Sequence, residues 1–169
     1  MLRCFACMLL AAVVLFAFGV AADERYIVIV DAGSTGSRAF LFKVGSEGGR
    51  AVTTLRRTSA EGGIAKFIKS PEEVKTCVLP LLVKVAALIP EHLRGTADLY
   101  IRATGGMRTL PASEQEILWA ALADGLTADP QNPFPIHREH FGTITGDKEA
   151  YYAVLSANYI AERIDENRG

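Results

Sequence analysis

The sequence lacks the features that mark several large classes of protein. It has three cysteines in 169 residues, and two of them, Cys4 and Cys7, lie in an apolar N-terminal segment. Cys77 is alone in the remainder, which excludes an intrachain disulfide there and predicts a small buried residue. The 18 Lys and Arg residues are balanced by 19 Asp and Glu residues. Without a basic excess, nucleic acid is not an expected partner.

The N-terminus is the first distinctive feature. Arg3 precedes an uncharged run over 4–22, and small residues stand just before Asp23, as in a secretory signal peptide. The run is also long enough to span a bilayer as an uncleaved anchor. Both interpretations of residues 1–22 stay open. Either one places residues 23–169 in the secretory pathway: the ER or Golgi lumen, the cell surface or the outside.

The first half of the remaining chain is typical of β-structure. Residues 26–31 predict a fully buried strand, residues 37–44 a second strand and residues 50–57 a third. A glycine-rich turn at 45–49 separates the last two, so an antiparallel meander is expected. Residues 61–67 are expected to form a loop.

A helix is predicted after this loop. Ser70, Pro71 and Glu73 form a helix-start pattern, with a cap, a proline in the first turn and an acid three residues after the cap. Apolar residues then recur at helical spacing, at positions 74, 77, 78, 81, 82, 85 and 88. Pro80 should kink or split this helix, and Pro90 should end it.

The second half alternates strands and helices. A strand over 98–103 and a turn over 104–108 precede a second capping pattern at Ser113 and an apolar helix that contains Trp119, an expected core residue. A strand over 136–144 and a helix over 147–164 complete the chain. The order βββ-α-β-α-β-α predicts an α/β fold, a mixed sheet with helices packed on it. It is the order of a ribonuclease-H-like lobe, the type found in actin, hexokinase and Hsp70.

The motif "DAGSTGSR" (31–38) lies between the first two strands. Its two glycines permit a nest of backbone N–H groups for an anion, and Asp31 suits a hard cation held through water. Hydroxyl and guanidinium donors complete a predicted phosphate loop, which comprises Gly33, Ser34, Thr35, Gly36, Ser37 and Arg38. The alternative is an ordinary hairpin turn, which needs neither the acid nor the arginine.

Two further motifs follow strands. In "ATGGMRTLP" (103–111), two interpretations stay open: Thr104 holds a phosphate oxygen or a metal-bound water, or the segment is an ordinary turn after a strand. In "TGDKEAYYAVLSANYI" (145–160), Glu149 begins a helix, where it is either a general base or an acid that stabilises the helix start. His137 and His140 are expected on opposite faces of a strand, which argues against a metal site there.

Together the three motifs resemble the apyrase regions of the GDA1/CD39 family, the nucleoside triphosphate diphosphohydrolases. The resemblance covers about residues 26–164. Gly105 replaces the usual Ala of the second region, and Ala150 and Val154 replace the usual Gly and Trp of the third.

The resemblance implies a function and its residues. It implies metal-dependent hydrolysis of the terminal phosphate of nucleoside tri- and diphosphates by direct attack of water. Glu149 would be the general base, and Asp31 would hold Ca²⁺ or Mg²⁺ through water. The loop from Gly33 to Arg38, with Thr104 and Gly105, would bind the phosphates.

The family also has a second lobe, whose motifs are not found here. The sequence is therefore expected to be an N-terminal lobe whose hydrolytic activity is weak or absent alone. Its expected partner is a second lobe that is missing here or is a separate chain. One alternative is a hydrolase like the exopolyphosphatases and guanosine-pentaphosphate phosphatases, favoured by "KEA" (148–150) and disfavoured by the apolar N-terminus and "MRTLP" (107–111). The other is a non-catalytic, phosphate-binding secreted lobe.

Overall fold

The computed structural model describes residues 24–44, 52–61 and 63–161. The predicted signal peptide or anchor at 1–22 and the predicted turn at 45–49 lie outside these residues. Within the described ranges, no helix combines the length and the apolar character needed to cross a membrane.

Five strands form one mixed sheet. They are β1 (Arg25–Ala32), β2 (Gly36–Val44), β3 (Val52–Glu61), β4 (Asp98–Ala103) and β5 (Phe141–Thr143). Their order across the sheet is β3-β2-β1-β4-β5. The first three strands are antiparallel neighbours, whereas β4 runs parallel to β1 and β5 runs parallel to β4. The predicted meander and mixed sheet are confirmed, although β3 begins and ends later than the predicted 50–57.

Strand β1 is not fully buried, so that prediction was wrong. Burial alternates along the strand, with Val28 and Val30 completely buried and Ile29 36% exposed. Because successive side chains in a strand point to opposite faces, only one face of the sheet is covered here. The apolar run could not show that one face is open, because an isoleucine is compatible with either face of the sheet.

The helices have the following bounds. The 3₁₀ helices are Ile64–Lys69, Pro71–Cys77 and Arg138–His140, and the α-helices are α1 (Leu79–Ala86), α2 (Glu91–Arg94), α3 (Gly105–Arg108), α4 (Ala112–Thr127) and α5 (Gly146–Ile160). The predicted loop at 61–67 was therefore wrong from Ile64 onward, and the predicted turn at 104–108 contains α3. Helix α5 ends at Ile160, four residues before the predicted end.

Pro80 splits the long predicted helix in two. A 3₁₀ helix ends at Cys77, and α1 begins at Leu79 with Pro80 in its first turn. Proline has no backbone N–H to donate to a carbonyl of the preceding turn, so the helical hydrogen bonding stops before Pro80 and begins again in α1. Neither predicted serine cap forms. Ser70 makes no capping side-chain hydrogen bond, and Ser113 lies inside α4, whose first bond runs from the Gln115 amide to the Pro111 carbonyl.

The core lies between the covered face of the sheet and the helices. Strand residues such as Val28, Leu41 and Leu99 pack there with residues of α1 and α4. Trp119 and Cys77 are buried as predicted. Leu88 is 46% exposed and Ile89 is buried instead, because α1 ends at Ala86 and the turn after it breaks the helical spacing.

Candidate functional site

The open face of the sheet carries the floor of a large cavity. Alternation places Ile29 and Asp31 of β1 on this face, and Tyr100 and Arg102 of β4 beside them. In the parallel pairing of β1 and β4, Ile29 is opposite Tyr100 and Asp31 is opposite Arg102. The strand ends thus bring polar and apolar groups to one surface, as is usual for ligand sites in such sheets.

Helix α5 forms another part of the cavity wall. Lys148, Glu149 and Tyr152 of the helix line the cavity together with Thr143 at the end of β5. The cavity has a volume of about 980 Å³, which is at the upper end of the range for small-molecule sites. A ligand as large as a nucleotide fits that volume.

The first motif closes the hairpin between β1 and β2 at the edge of this cavity. The Gly33 amide donates to the Gly36 carbonyl at 3.0 Å, which leaves only Ser34 and Thr35 at the tip. Asp31 and Arg38 are partners in the strand register, and Arg38 Nη1 donates to Asp31 Oδ2 at 3.4 Å. Both side chains remain more than a third exposed, so both are accessible from the cavity.

Two glycines outside the motif hold its tip in place. A Cβ on Gly106 would lie 2.7 Å from the Cβ of Ser34, and one on Gly63 would lie 2.5 Å from the Gly33 carbonyl oxygen. Such distances leave no room for a side chain, so the backbone approaches the loop closely at both points. Since Gly106 belongs to the second motif, the first two motifs are in direct contact.

The second motif supplies Thr104 to the cavity. Thr104 precedes α3, and its side chain makes no capping hydrogen bond to that helix, so the hydroxyl is not used by the backbone there. Buried Met107 fixes the short helix to the core. The next residue, Arg108, reaches across to the third motif.

Glu149 lies in the first turn of α5 and lines the cavity. Its amide donates to the Thr145 carbonyl at 2.9 Å. Arg108 Nη1 donates to Glu149 Oε2 at 2.8 Å and to the Ile144 carbonyl at 3.0 Å. The Glu149 carboxyl is 43% exposed. The guanidinium therefore fixes one carboxylate oxygen, while the group stays open to the cavity.

The structure brings part of the predicted site together. The predicted residues that line the cavity are Asp31, Gly33, Arg38, Thr104 and Glu149. The others lie beside it: Ser34 and Thr35 form the exposed tip of the hairpin, Gly36 starts β2, and Gly105 is exposed at the start of α3.

Ser37 points the other way. It is fully buried, and its hydroxyl lies next to the thiol of Cys77 in the core. Burial is the main reason why the pKa of Cys77 is raised to about 11. The Ser37 hydroxyl is thus turned away from the cavity, because Ser37 and Arg38 are consecutive residues of one strand.

Sequence reasoning missed several cavity residues, above all Arg102 and Lys148. Arg102 could have been found, because it shares strand parity with Tyr100 and lies beside Asp31 in the sheet. Lys148 directly precedes Glu149, but its place in the cavity depends on how α5 crosses the sheet. No sequence pattern gives that crossing.

The histidine prediction needs a correction. Residues 138–140 form a 3₁₀ helix rather than a strand, and the rings of His137 and His140 are close, with centroids 5.2 Å apart. His140 also stacks on Tyr100 at 4.1 Å. Among the described residues, no group of three or more His, Cys, Asp or Glu side chains is arranged to hold a metal ion.

Comparison with known proteins places these motifs in one family. The model of the GDA1/CD39 (nucleoside phosphatase) family matches residues 19–168. The chain is similar to ectonucleoside triphosphate diphosphohydrolase 7 of Xenopus tropicalis, with 33% identity over 154 residues. That alignment covers 83% of this chain and 25% of the relative. The chain spans about a quarter of the length of the curated relatives it matches.

Solved structures confirm the ribonuclease-H-like fold. The structure described as nucleoside triphosphate hydrolases from Neospora caninum matches with a TM-score of 0.65 and 17% identity, over 97% of this chain and 37% of that one. A Ppx/GppA family member from Aquifex aeolicus matches with a TM-score of 0.51 and 15% identity, over 80% of this chain and 40% of that one. At these identities the likeness concerns the fold alone.

Proposed function

The chain belongs to the GDA1/CD39 (nucleoside phosphatase) family. On this basis we propose that it acts in the hydrolysis of the terminal phosphate of nucleoside tri- and diphosphates. The observation that carries the proposal is the cavity itself. Residues from all three motifs line it: Asp31, Gly33 and Arg38 from the first, Thr104 from the second and Glu149 from the third.

The hairpin tip is suited to a terminal phosphate. Among the described residues, no backbone carbonyl is hydrogen-bonded to the amide of Ser34 or Thr35, and both residues are exposed. Free amides in a tight glycine-flanked turn attract anions, and Arg38 adds a charged donor at the cavity edge. The tip, Arg38 and the Thr104 hydroxyl thus form the phosphate-binding part of the proposed site.

Glu149 is the proposed general base. Arg108 donates a hydrogen bond to Oε2, and Oε1 has no hydrogen bond among the described residues. That oxygen takes the proton from a water that attacks the terminal phosphorus in line with the leaving oxygen. The products are inorganic phosphate and the shortened nucleotide, without a phosphoenzyme. Loop amides and Arg38 stabilise charge on the phosphoryl oxygens.

The residues of the cavity fit a hydrated divalent cation. The groups that could ligate such a cation are oxygens: the carboxylates of Asp31 and Glu149, each also in contact with an arginine, and hydroxyls such as that of Thr104. Such a set suits Ca²⁺ or Mg²⁺ held through water and by substrate phosphates rather than by a protein cage. When bound, the cation would neutralise phosphoryl charge, and Asp31 would orient its water shell.

The family resemblance also bears on how the site works. The matched relatives are about four times longer, and the family resemblance implies a second lobe across the cleft. We propose that the described lobe binds the phosphates of a nucleotide but releases the terminal phosphate only weakly until a second lobe, joined or separate, completes the site. The proposed location is the secretory pathway.

Phosphate release by the full chain tests the proposal. ATP, ADP, GDP and UDP are supplied with Ca²⁺ or Mg²⁺, with EDTA in a parallel set. Glu149→Gln keeps the shape of the side chain and removes the base. Asp147→Asn is the matched control, because Asp147 lies in the same helical turn and is exposed outside the cavity lining.

We expect metal-dependent release that Glu149→Gln lowers by about 100-fold or more and Asp147→Asn leaves within about twofold. Equal losses in the two variants would refute the role of Glu149. Nucleotide binding without any release would instead support the second candidate, a non-catalytic phosphate-binding lobe. That candidate is favoured by the ion pairs of both cavity carboxylates, Asp31 with Arg38 and Glu149 with Arg108.

A further inference from the structure

The cavity holds more positive charge than its carboxylates can balance. Its charged lining residues are three cations, Arg38, Arg102 and Lys148, and two carboxylates, Asp31 and Glu149. Both carboxylates already have partners. Asp31 is paired with Arg38, and Glu149 is paired with Arg108, which does not line the cavity.

Arg102 and Lys148 are the cations left over. Asp31 is the register partner of Arg102, but the Asp31 carboxylate contacts Arg38 instead. The only hydrogen bond found for the Arg102 side chain among the described residues is a long one, from Nη2 to the Glu139 carbonyl at 3.4 Å. Neither Arg102 nor Lys148 has an ion-pair partner within the described part of the chain.

The two cations approach the cavity from different walls. Arg102 comes from β4 in the floor, and its guanidinium lies over Gly142, where a Cβ would be only 3.2 Å from Nη1. The missing side chain of Gly142 thus leaves room for the guanidinium. Lys148 comes from α5. Two unpaired charges of one sign in a concave site concentrate positive potential there, and a bound anion offsets it.

We propose that Arg102 and Lys148 form a second anion subsite, separate from the hairpin tip, which takes the next phosphate groups of a polyphosphate chain. The inference rests on the proposed function and specifies its substrate class. Ligands with two or more linked phosphates gain affinity from this subsite, and orthophosphate, which the hairpin tip and Arg38 hold, does not.

Calorimetric titration of the full chain tests the subsite without hydrolysis. The probes are inorganic tripolyphosphate and orthophosphate, in EDTA and at low ionic strength, so that no cation bridges the anion and screening is small. The variants are Arg102→Gln, Lys148→Gln and the double change. The control is the double change Lys69→Gln/Lys84→Gln, which removes the same charge from exposed positions outside the cavity lining.

We expect the double change in the cavity to weaken tripolyphosphate binding by about tenfold or more, as for loss of charge-assisted hydrogen bonds. Orthophosphate affinity should stay within about twofold. Lys148→Gln alone, on an exposed helix position, should show part of the loss even if the Arg102 variants fold poorly.

The subsite would be overturned by an unchanged affinity for tripolyphosphate in the double variant, by an equal loss in the control pair, or by absence of tripolyphosphate binding by the unmodified chain. An equal loss for orthophosphate would also refute it, because the charges would then act only as a general field. If binding depends on Arg102 and Lys148 but no nucleotide is hydrolysed, the subsite stands and the proposed hydrolysis fails.

Discussion

Gly106→Ala should disturb the hairpin tip more than the same change at the neighbouring Gly105. The added Cβ would lie 2.7 Å from Ser34 Cβ and 2.8 Å from Ser34 Cα. Carbon atoms normally approach to about 3.5–4.0 Å, so the tip must retreat by about 1 Å. Overpacking of this kind costs about 1–3 kcal/mol of stability, and a 1 Å displacement of a reacting group lowers a rate by about 100-fold.

Gly105→Ala is the matched control. Its added Cβ would have one neighbour, Arg108 Nη2 at 3.9 Å, which is an ordinary contact. Neither glycine has a left-handed φ, so backbone strain does not separate the two variants. Alanine at position 105 should be neutral or stabilising by up to about 1 kcal/mol, from helix propensity.

Urea unfolding, followed by the fluorescence of the single tryptophan, Trp119, measures the difference. We expect Gly106→Ala to unfold at a clearly lower urea concentration than Gly105→Ala and to bind orthophosphate more weakly. If the two variants have the same unfolding free energy within about 0.5 kcal/mol, the close approach of the first and second motifs is refuted.

Two further predictions concern the core. Leu82→Ala should cost about 2–5 kcal/mol, because Leu82 is fully buried, whereas Leu88→Ala at a 46% exposed position should cost far less. Equal urea midpoints would contradict the break after α1. Because burial raises the pKa of Cys77 from 9.0 to about 11, the folded state keeps a proton that the unfolded state loses. The free energy of unfolding should therefore fall between pH 9 and pH 11, by up to about 1.4 kcal/mol per pH unit. Cys77→Ala should lack this fall in urea unfolding curves recorded across that range. The same dependence of unfolding free energy on pH in both proteins would contradict a buried thiol.

The bounds of a strand could be predicted where polar and apolar residues alternate in the sequence. The bounds of β4 match the prediction at both ends, because polar residues alternate with buried apolar ones throughout. In β1 the apolar run hid the difference between the faces. Ile29 faces the cavity, and only the placement of the helices on one side of the sheet decides that.

The helix starts were harder to predict because two hydrogen-bonding patterns compete there. Ser70 and Ser113 both match the capping sequence, yet each is next to a proline or near one. Pro111 provides the carbonyl for the first bond of α4, which moves the start ahead of Ser113. The predicted helix start after Ser70 likewise became a 3₁₀ helix, Pro71–Cys77, which the apolar spacing alone did not distinguish from an α-helix.

In the candidate site, the alternation of side chains along a strand decides which residues of a motif share one face of the sheet. Asp31 and Arg38 are register partners in an antiparallel pair, so their side chains share a face, and that face lines the cavity. Ser37, one residue before Arg38, must then face the core, and it does. The hydroxyl of Ser37 and the guanidinium of Arg38 therefore cannot reach one ligand together. The same parity places Arg102 beside Asp31, so the motif residues and the unpaired cation belong to one surface that the motifs alone do not define.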